Sequence, residues 1–187
     1  MRWEYRCWPP EIDVFRSRIE ADYRRGETET RTDTYFLFPG RRDIMPKLRA
    51  GSRFEIKSLA RQCGPLEAWQ LDLSAPFPLR PEDLATARRV FRAAGALAPP
   101  IGSPDALRGA LAPFSEIRVV DKARQLYWRG CLRAEITFVH AQSLSAWTLA
   151  FECEERDRLL DACDSLGLTD LSNLSYAQAL RRKGLLA

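Results

Sequence analysis

The chain has 187 residues, 45% of them hydrophobic and 29% charged, with 10 Gly and 12 Pro, a composition that fits a folded globular protein and excludes disordered, collagen-like and fibrous classes. Its 29 Lys and Arg against 25 Asp and Glu leave a net charge of +4, too mild to demand a nucleic-acid partner. Cys7, Cys63, Cys131, Cys153 and Cys163 form an odd set with no C-x-x-C pair, so neither a disulfide framework nor a zinc cluster is expected.

The N-terminus, MRWEYRCWPP, carries charges where a signal peptide needs apolar residues, and no run approaches the roughly 18 apolar residues of a membrane span. A cytoplasmic protein without membrane insertion is the expectation. At this length a single α+β domain, residues 1–187, is the default.

Taken in chain order, residues 2–8 alternate as a strand, and Pro9 and Pro10 then open a helix over residues 11–25 in which Ile12, Phe15 and Ile19 recur at helical spacing. A polar link near Gly26 leads to a strand over 30–38, and residues 46–60 read as a hairpin folded at Ala50, Gly51 and Ser52. A short strand follows at 68–73. The helix expected over 81–95 begins at Pro81 and stops at Gly95, and a Pro- and Gly-bearing connection runs over 95–113. Three strands over 114–128, 131–141 and 145–154, joined near Gly130 and Ser143, form a meander. Helices at 154–168 and 176–184 close the chain.

Residues two apart share one face of a strand, and this parity separates charged from apolar side chains. One face holds Arg2, Glu4 and Arg6; Lys47 and Arg49; Arg53, Glu55 and Lys57; Arg118, Lys122 and Arg124; Arg133 and Glu135; and Glu152 and Glu154. The other holds Trp3 and Tyr5, Leu48, Phe54 and Ile56, Val119, Ala134, Ile136 and Phe138, and Leu149, Phe151 and Cys153. A sheet with one solvated face would produce such alternation. So would six or more such strands closed into a barrel, with a polar lumen and the apolar face outward under the helices. Cations converging from several strands suit a multiply charged phosphate anion. The carboxylates among them either hold Mg²⁺ or Mn²⁺ or pair with the neighbouring cations in a structural network.

The order of motifs resembles the CYTH superfamily of triphosphate tunnel metalloenzymes over nearly the whole chain. RWEYR stands at the place of a first-strand E-x-E-x-K, TDTYF at D-x-Y-F, KLR at R-x-R and RFEIK at E-x-K. DKAR resembles K-x-R, AEITF places Glu135 in a strand rich in branched residues, FECEE matches F-x-E-x-E, and LGLTDLSNLSYAQAL is similar to the closing L-G-x…S-Y-x-x-L. The resemblance implies an eight-stranded antiparallel tunnel and divalent-metal-dependent hydrolysis or cyclisation at a triphosphate, on inorganic tripolyphosphate or a small organic triphosphate. It also implies roles. Glu4, Glu135, Glu152 and Glu154 would be metal ligands; Glu4, Glu152, Glu154 and Lys57 would form the catalytic set. Arg6, Lys47, Arg49, Lys57, Arg118, Lys122, Arg124 and Arg133 would bind the phosphate chain.

The chain departs from that pattern at Arg2, a cation where the family has its first glutamate, and at Arg6, where it has lysine. Arg2 favours anion binding over metal binding, which leaves a non-catalytic polyphosphate- or nucleotide-binding module as the alternative. Binding of an RNA 5′ end would need a wide entrance. His140, the only histidine, reads as an exposed strand-end residue or as a general acid or base without a named partner. Asp33 reads equally as a turn cap or as part of D-x-Y, and Tyr35 as a packed tyrosine or as part of the same motif. Trp3, Trp8, Trp69, Trp128 and Trp147 read as core or helix-facing residues, with base stacking open to one of them.

Overall fold

The computed structural model describes residues 1–92, 97–98, 100–142 and 144–182. Among them are eight strands and five helices: β1 (Arg2–Cys7), α1 (Asp13–Asp22), β2 (Arg24–Leu37), β3 (Ile44–Arg49), β4 (Arg53–Cys63), β5 (Leu66–Pro76), α2 (Pro81–Phe91), α3 (Pro104–Leu111), β6 (Glu116–Arg129), β7 (Leu132–Ala141), β8 (Leu144–Cys153), α4 (Arg156–Ser165) and α5 (Tyr176–Ala179). The strands pair in the order β1-β5-β4-β3-β2-β6-β7-β8 and close into a barrel. Every described register is antiparallel. This is the α+β antiparallel barrel that the resemblance implies, and one of the two arrangements that the alternation left open. None of the described helices is long and apolar enough to cross a membrane.

The chain divides into two compact units, one comprising Met1–Arg31, Ala60–Trp69 and Asp121–Ala187, the other Thr32–Leu59 and Gln70–Val120. In the first, Tyr5 and Cys7 of β1, Ala134 and Ile136 of β7, and Leu149, Phe151 and Cys153 of β8 share a core with Ile19 of α1 and Leu159, Ala162 and Cys163 of α4. In the second, Leu48, Phe54 and Ile56 pack with Leu84, Ala87 and Phe91 of α2 and Leu107 and Leu111 of α3. Both cores take the apolar parity of their strands, which leaves the charged parity on the opposite face. Phe138 and Val119 keep the apolar parity but are 37% and 49% exposed, outside either core.

The main differences from the sequence reading lie at β2, at Gly26 and in the 95–113 connection. The first helix ends at Asp22 and β2 begins at Arg24, because the alternating Thr and charged residues of RRGETETRTDTYFL pair as one long strand. Gly26 sits inside that strand rather than in a link: a Cβ there would lie 2.8 Å from Trp128 Nε1 and 3.2 Å from the Leu126 carbonyl, so close approach of the indole requires glycine. The 95–113 connection contains α3. Ser103 caps it by accepting from the Ala106 N–H, Pro104 occupies the first turn, and Leu107 and Leu111 bury one face. The hairpin at 50–52 forms as expected, with Leu48 opposite Phe54 and Ala50 and Gly51 at φ +48° and +67°. Gly95, the expected stop of the helix over 81–95, Ser143 and residues 183–184 lie outside the described residues.

The segment after α4 is sewn onto β1. The Tyr5 hydroxyl donates to the carbonyls of Leu168, at 2.6 Å, and Leu171. The Arg6 N–H donates to Asn173 Oδ1 at 2.9 Å, and the Leu174 N–H donates to the Arg6 carbonyl at 2.7 Å. Trp8 Nε1 donates to the Leu174 carbonyl at 3.0 Å, and the Trp8 ring meets Tyr176 edge-on. Removing a buried donor leaves its acceptors short of a partner, a loss of about 1–3 kcal/mol. Tyr5→Phe is therefore expected to lower the unfolding free energy by about that amount in urea titrations; an unchanged value would show that the two carbonyls need no donor.

Candidate functional site

The charged parity of the first unit is organised around Arg6. From β1 its Nε lies 3.0 Å from Glu4 Oε1, and its Nη1 lies 3.2 Å from Glu135 Oε1 on β7 and 3.4 Å from Thr148 Oγ1 on β8. The guanidinium carbon lies 4.6 Å from the centre of the Tyr176 ring, and Lys122 Nζ lies 3.8 Å from it. Arg124 on β6 reaches Glu29 Oε2 at 2.6 Å through Nε and Glu135 Oε2 at 3.1 Å through Nη1. Arg31 pairs with Glu29 at 2.8 Å, and Arg133 donates to Glu152. Arg6, Lys122 and Glu135 are 5%, 3% and 6% exposed.

Burial by itself raises the Glu135 carboxyl, yet the charges of Arg6 and Arg124, the Thr137 hydroxyl and the charge of Lys122 outweigh it and hold it well below the carboxylate range. For Arg6, burial disfavours the charge, and the Glu135 charge together with the charge and hydrogen bond of Glu4 more than restore it. Burial of Glu67 raises its pKa; the Trp69 indole donor lowers it, the Glu4 charge raises it and Gln178 lowers it, leaving a net rise. Burial likewise pushes the Tyr176 hydroxyl above its ordinary value, so the ring facing the two cations is neutral.

The second unit has its own charged group. Lys47 Nζ lies 3.6 Å from Asp33 Oδ2 and 3.5 Å from Glu55 Oε2, and Arg49 Nη1 lies 3.6 Å from Glu55 Oε1. Asp33 Oδ1 also accepts from the Ala50 N–H at 3.2 Å, the turn-capping role, and Lys47 Nζ lies 5.8 Å from the centre of the Tyr35 ring. The side chain of Lys57, half-buried, has no hydrogen bond or ion pair among the described residues. Arg118 pairs with Glu116, and Arg53 donates to the Ser74 carbonyl.

The structure therefore gathers Glu4, Arg6, Lys122, Arg124, Arg133, Glu135 and Glu152 in the first unit, and Lys47, Arg49 and Glu55 in the second. Glu154 does not join them: its side chain is 71% exposed and pairs with Arg2 at 3.8 Å. His140 is exposed at the strand end, 2.9 Å from Ser145 Oγ. The sequence reading missed Glu29, Arg31, Glu67 and Tyr176. Glu29 and Arg31 were detectable, because they share parity with Asp33 once β2 is extended back to Arg24. Glu67 lay one residue before the expected strand. Tyr176 reaches the cations only through the tertiary course of the C-terminal segment.

A divalent ion requires carboxylate oxygens free to point at it. Here Glu4 accepts from Arg6, Glu135 from Arg6, Arg124 and Thr137, and Glu152 from Arg133. Among the described residues no three His, Cys, Asp or Glu side chains converge as a metal-holding group. The donor set, as arranged, does not fit a divalent ion.

Neither a protein-family model nor a curated protein matches the chain. Solved structures do. The PH1012 protein of Pyrococcus horikoshii is similar at 17% identity and TM-score 0.59, over 95% of this chain and 98% of that one. A putative adenylyl cyclase of Hippeastrum, HpAC1, described as having a dominant triphosphatase activity, is similar at 13% identity and TM-score 0.59, over 97% and 95%. A putative adenylate cyclase of Bacillus halodurans is similar at 14% identity and TM-score 0.52, over 96% of each chain. The chain shares the overall fold of these solved structures over nearly its whole length.

Removing one partner of a buried ion pair leaves the other charge uncompensated, at a cost of about 3–5 kcal/mol. Glu135→Gln is expected to destabilise the protein by about that amount, measured by denaturant unfolding. The Glu135 carboxyl is lowered on folding, so its contribution is complete above its ordinary value of 4.5 and lost as pH falls below it toward the folded value. Wild-type stability should decline with acidification in that window, and the decline should be shallower in Glu135→Gln. Parallel pH profiles would remove Glu135 as a source of acid sensitivity.

Proposed function

We propose that the protein captures a small anion bearing a triphosphate, inorganic tripolyphosphate or an organic triphosphate, on the cationic face of the barrel strands. The observation that carries this reading is convergence: Arg6 from β1, Arg31 from β2, Lys122 and Arg124 from β6 and Arg133 from β7 share one face of the first unit. Guanidinium groups exchange a carboxylate for a phosphate oxygen without changing donor geometry, and several act on one polyanion from different directions. The glutamates then serve as internal counter-ions that keep the cations buried and charged until a polyphosphate replaces them. The same phosphate-binding role is assigned to Lys47, Arg49 and Lys57 of the second unit, and Arg118, paired with Glu116, is assigned a peripheral one. The triphosphatase activity ascribed to HpAC1 and the triphosphate chemistry implied by the motif order support the choice of ligand.

A second reading, metal-dependent hydrolysis of the captured triphosphate, is favoured by one observation. Glu67, Glu4 and Glu152 are register partners across β5, β1 and β8, with Glu4 opposite Glu67 on one side and opposite Glu152 on the other. Three carboxylates thus lie in one row on one face, although guanidinium groups engage two of them. Mg²⁺ or Mn²⁺ would be the ion in that reading, with Glu4 and Glu152 in the ligand and catalytic roles once Arg6 and Arg133 release them; Glu135 and Glu154 are the less suited ligands.

Calorimetric titration with tripolyphosphate tests capture. Arg124→Ala and Lys122→Met are each expected to weaken binding by about tenfold or more, the value of one charge-assisted hydrogen bond, and Lys57→Ala tests the second unit separately. Unchanged affinity in Arg124→Ala and Lys122→Met would overturn the reading. Phosphate release from tripolyphosphate, ATP and thiamine triphosphate with Mg²⁺, Mn²⁺ or EDTA decides between the two readings. Binding without release supports capture alone; EDTA-sensitive release that Glu152→Gln abolishes establishes hydrolysis. Arg2→Glu restores the family's first carboxylate, and release gained only in that variant would mark a lost metal site.

A further inference from the structure

The sulfurs of Cys131 and Cys153 are 2.8 Å apart, although the five cysteines show no sequence pattern of a disulfide framework. Cys131 lies in the turn between β6 and β7 and is exposed, whereas Cys153, the last residue of β8, is fully buried in the core of the first unit. The pair is therefore asymmetric, with one thiol open to solvent and the other behind it. Arg158 of α4 places its Nη1 3.8 Å from the Cys131 sulfur. Beside Cys131 is an open cleft of about 480 Å³, lined also by Arg129, Arg158, Asp161 and Ser165.

We propose that Cys131 and Cys153 form a reversible dithiol–disulfide site that reacts with low-molecular-weight disulfides entering this cleft. Exposure to the cleft assigns first attack to Cys131, the thiol that an entering disulfide can reach. Burial, and then the hydrogen bond to Cys131, raise the Cys153 thiol above its ordinary value, which keeps it protonated while Cys131 reacts first; its place beside the Cys131 sulfur gives it the second step. In the first step the Cys131 thiolate attacks one sulfur of a disulfide RSSR, forms a Cys131–SR mixed disulfide and expels RS⁻. In the second, the Cys153 thiolate attacks the Cys131 sulfur, forms the Cys131–Cys153 bond and expels the remaining RS⁻. The two protons lost by the cysteines go to the two leaving thiolates, and RSSR takes up the two electrons.

Other thiols differ in place. Cys7 and Cys163 are buried in the core, and Cys63, half-buried, receives a contact from Arg156 Nη1 at 3.5 Å but has no second sulfur beside it among the described residues. Cys63 is the internal control for simple exposure near an arginine. Nothing in this site uses Arg6, Arg124 or their carboxylates, so it stands or falls independently of the capture of a triphosphate.

The test is exposure of the reduced full chain to glutathione disulfide, alkylation of the remaining thiols and peptide mapping by mass spectrometry. The expected product is a Cys131–Cys153 crosslink that dithiothreitol reverses, with Cys7, Cys63 and Cys163 alkylated. Cys153→Ala should stop the reaction at one glutathionyl group on Cys131. Cys131→Ser, a substitution at an exposed turn, should leave Cys153 as a free thiol. Glutathione found on Cys63 while Cys131 and Cys153 remain thiols would overturn the proposal, and so would a mixed disulfide at Cys131 that persists in the wild-type chain.

Discussion

The first unit depends on one guanidinium. Arg6 bridges Glu4 of its own strand and Glu135 of β7, contacts Thr148 of β8 and lies against the ring of Tyr176. Its backbone holds the C-terminal segment through Asn173 and Leu174. A buried charge is tolerated only when paired and hydrogen-bonded, so every one of these groups is constrained by the need to satisfy the same cation. The planar fork of arginine can address two carboxylates on different strands at once. An ammonium has no such fixed geometry. The arginine at a position where the resembling family carries lysine is thus matched to its surroundings, with Glu4 and Glu135 as its two acceptors.

That arrangement also explains why the carboxylates are poor metal ligands. Glu4, Glu135 and Glu152 each spend an oxygen on a guanidinium, and Arg2 adds positive charge at the strand that also carries Glu4. The fourth candidate, Glu154, is held in solvent beside Arg2. The guanidinium groups of this face thus compete with a divalent ion for the carboxylate oxygens.

Much of this was legible in the sequence because strand parity is a local signal. Glu4, Arg6, Lys122, Arg124, Arg133, Glu135 and Glu152 could be assigned to one face from spacing alone, and the order of short motifs turned that face into a barrel. The missed parts have distinct causes. Helix α3 was masked by Gly109 and by the prolines before it, although Ser103 and Pro104 make an ordinary helix start. Glu67 was lost by a boundary error of one residue. Tyr176, Asn173 and the adjacent Cys131 and Cys153 depend on contacts between residues far apart in the chain, which no local period encodes.

The stitching of β1 to the C-terminal segment bears on the order in which the protein is made. Tyr5 bonds to a carbonyl 163 residues later, and β1 pairs with β8 over Trp3–Cys7. The second unit is drawn from Thr32–Leu59 and Gln70–Val120, all of which emerges from a ribosome before β7 and β8 exist. Vectorial synthesis thus allows its core to form early, while Arg6 waits in water for Glu135 and then for Tyr176. The strand translated first is among the last to be completed, and its buried cation acquires its full set of partners only near the end of translation.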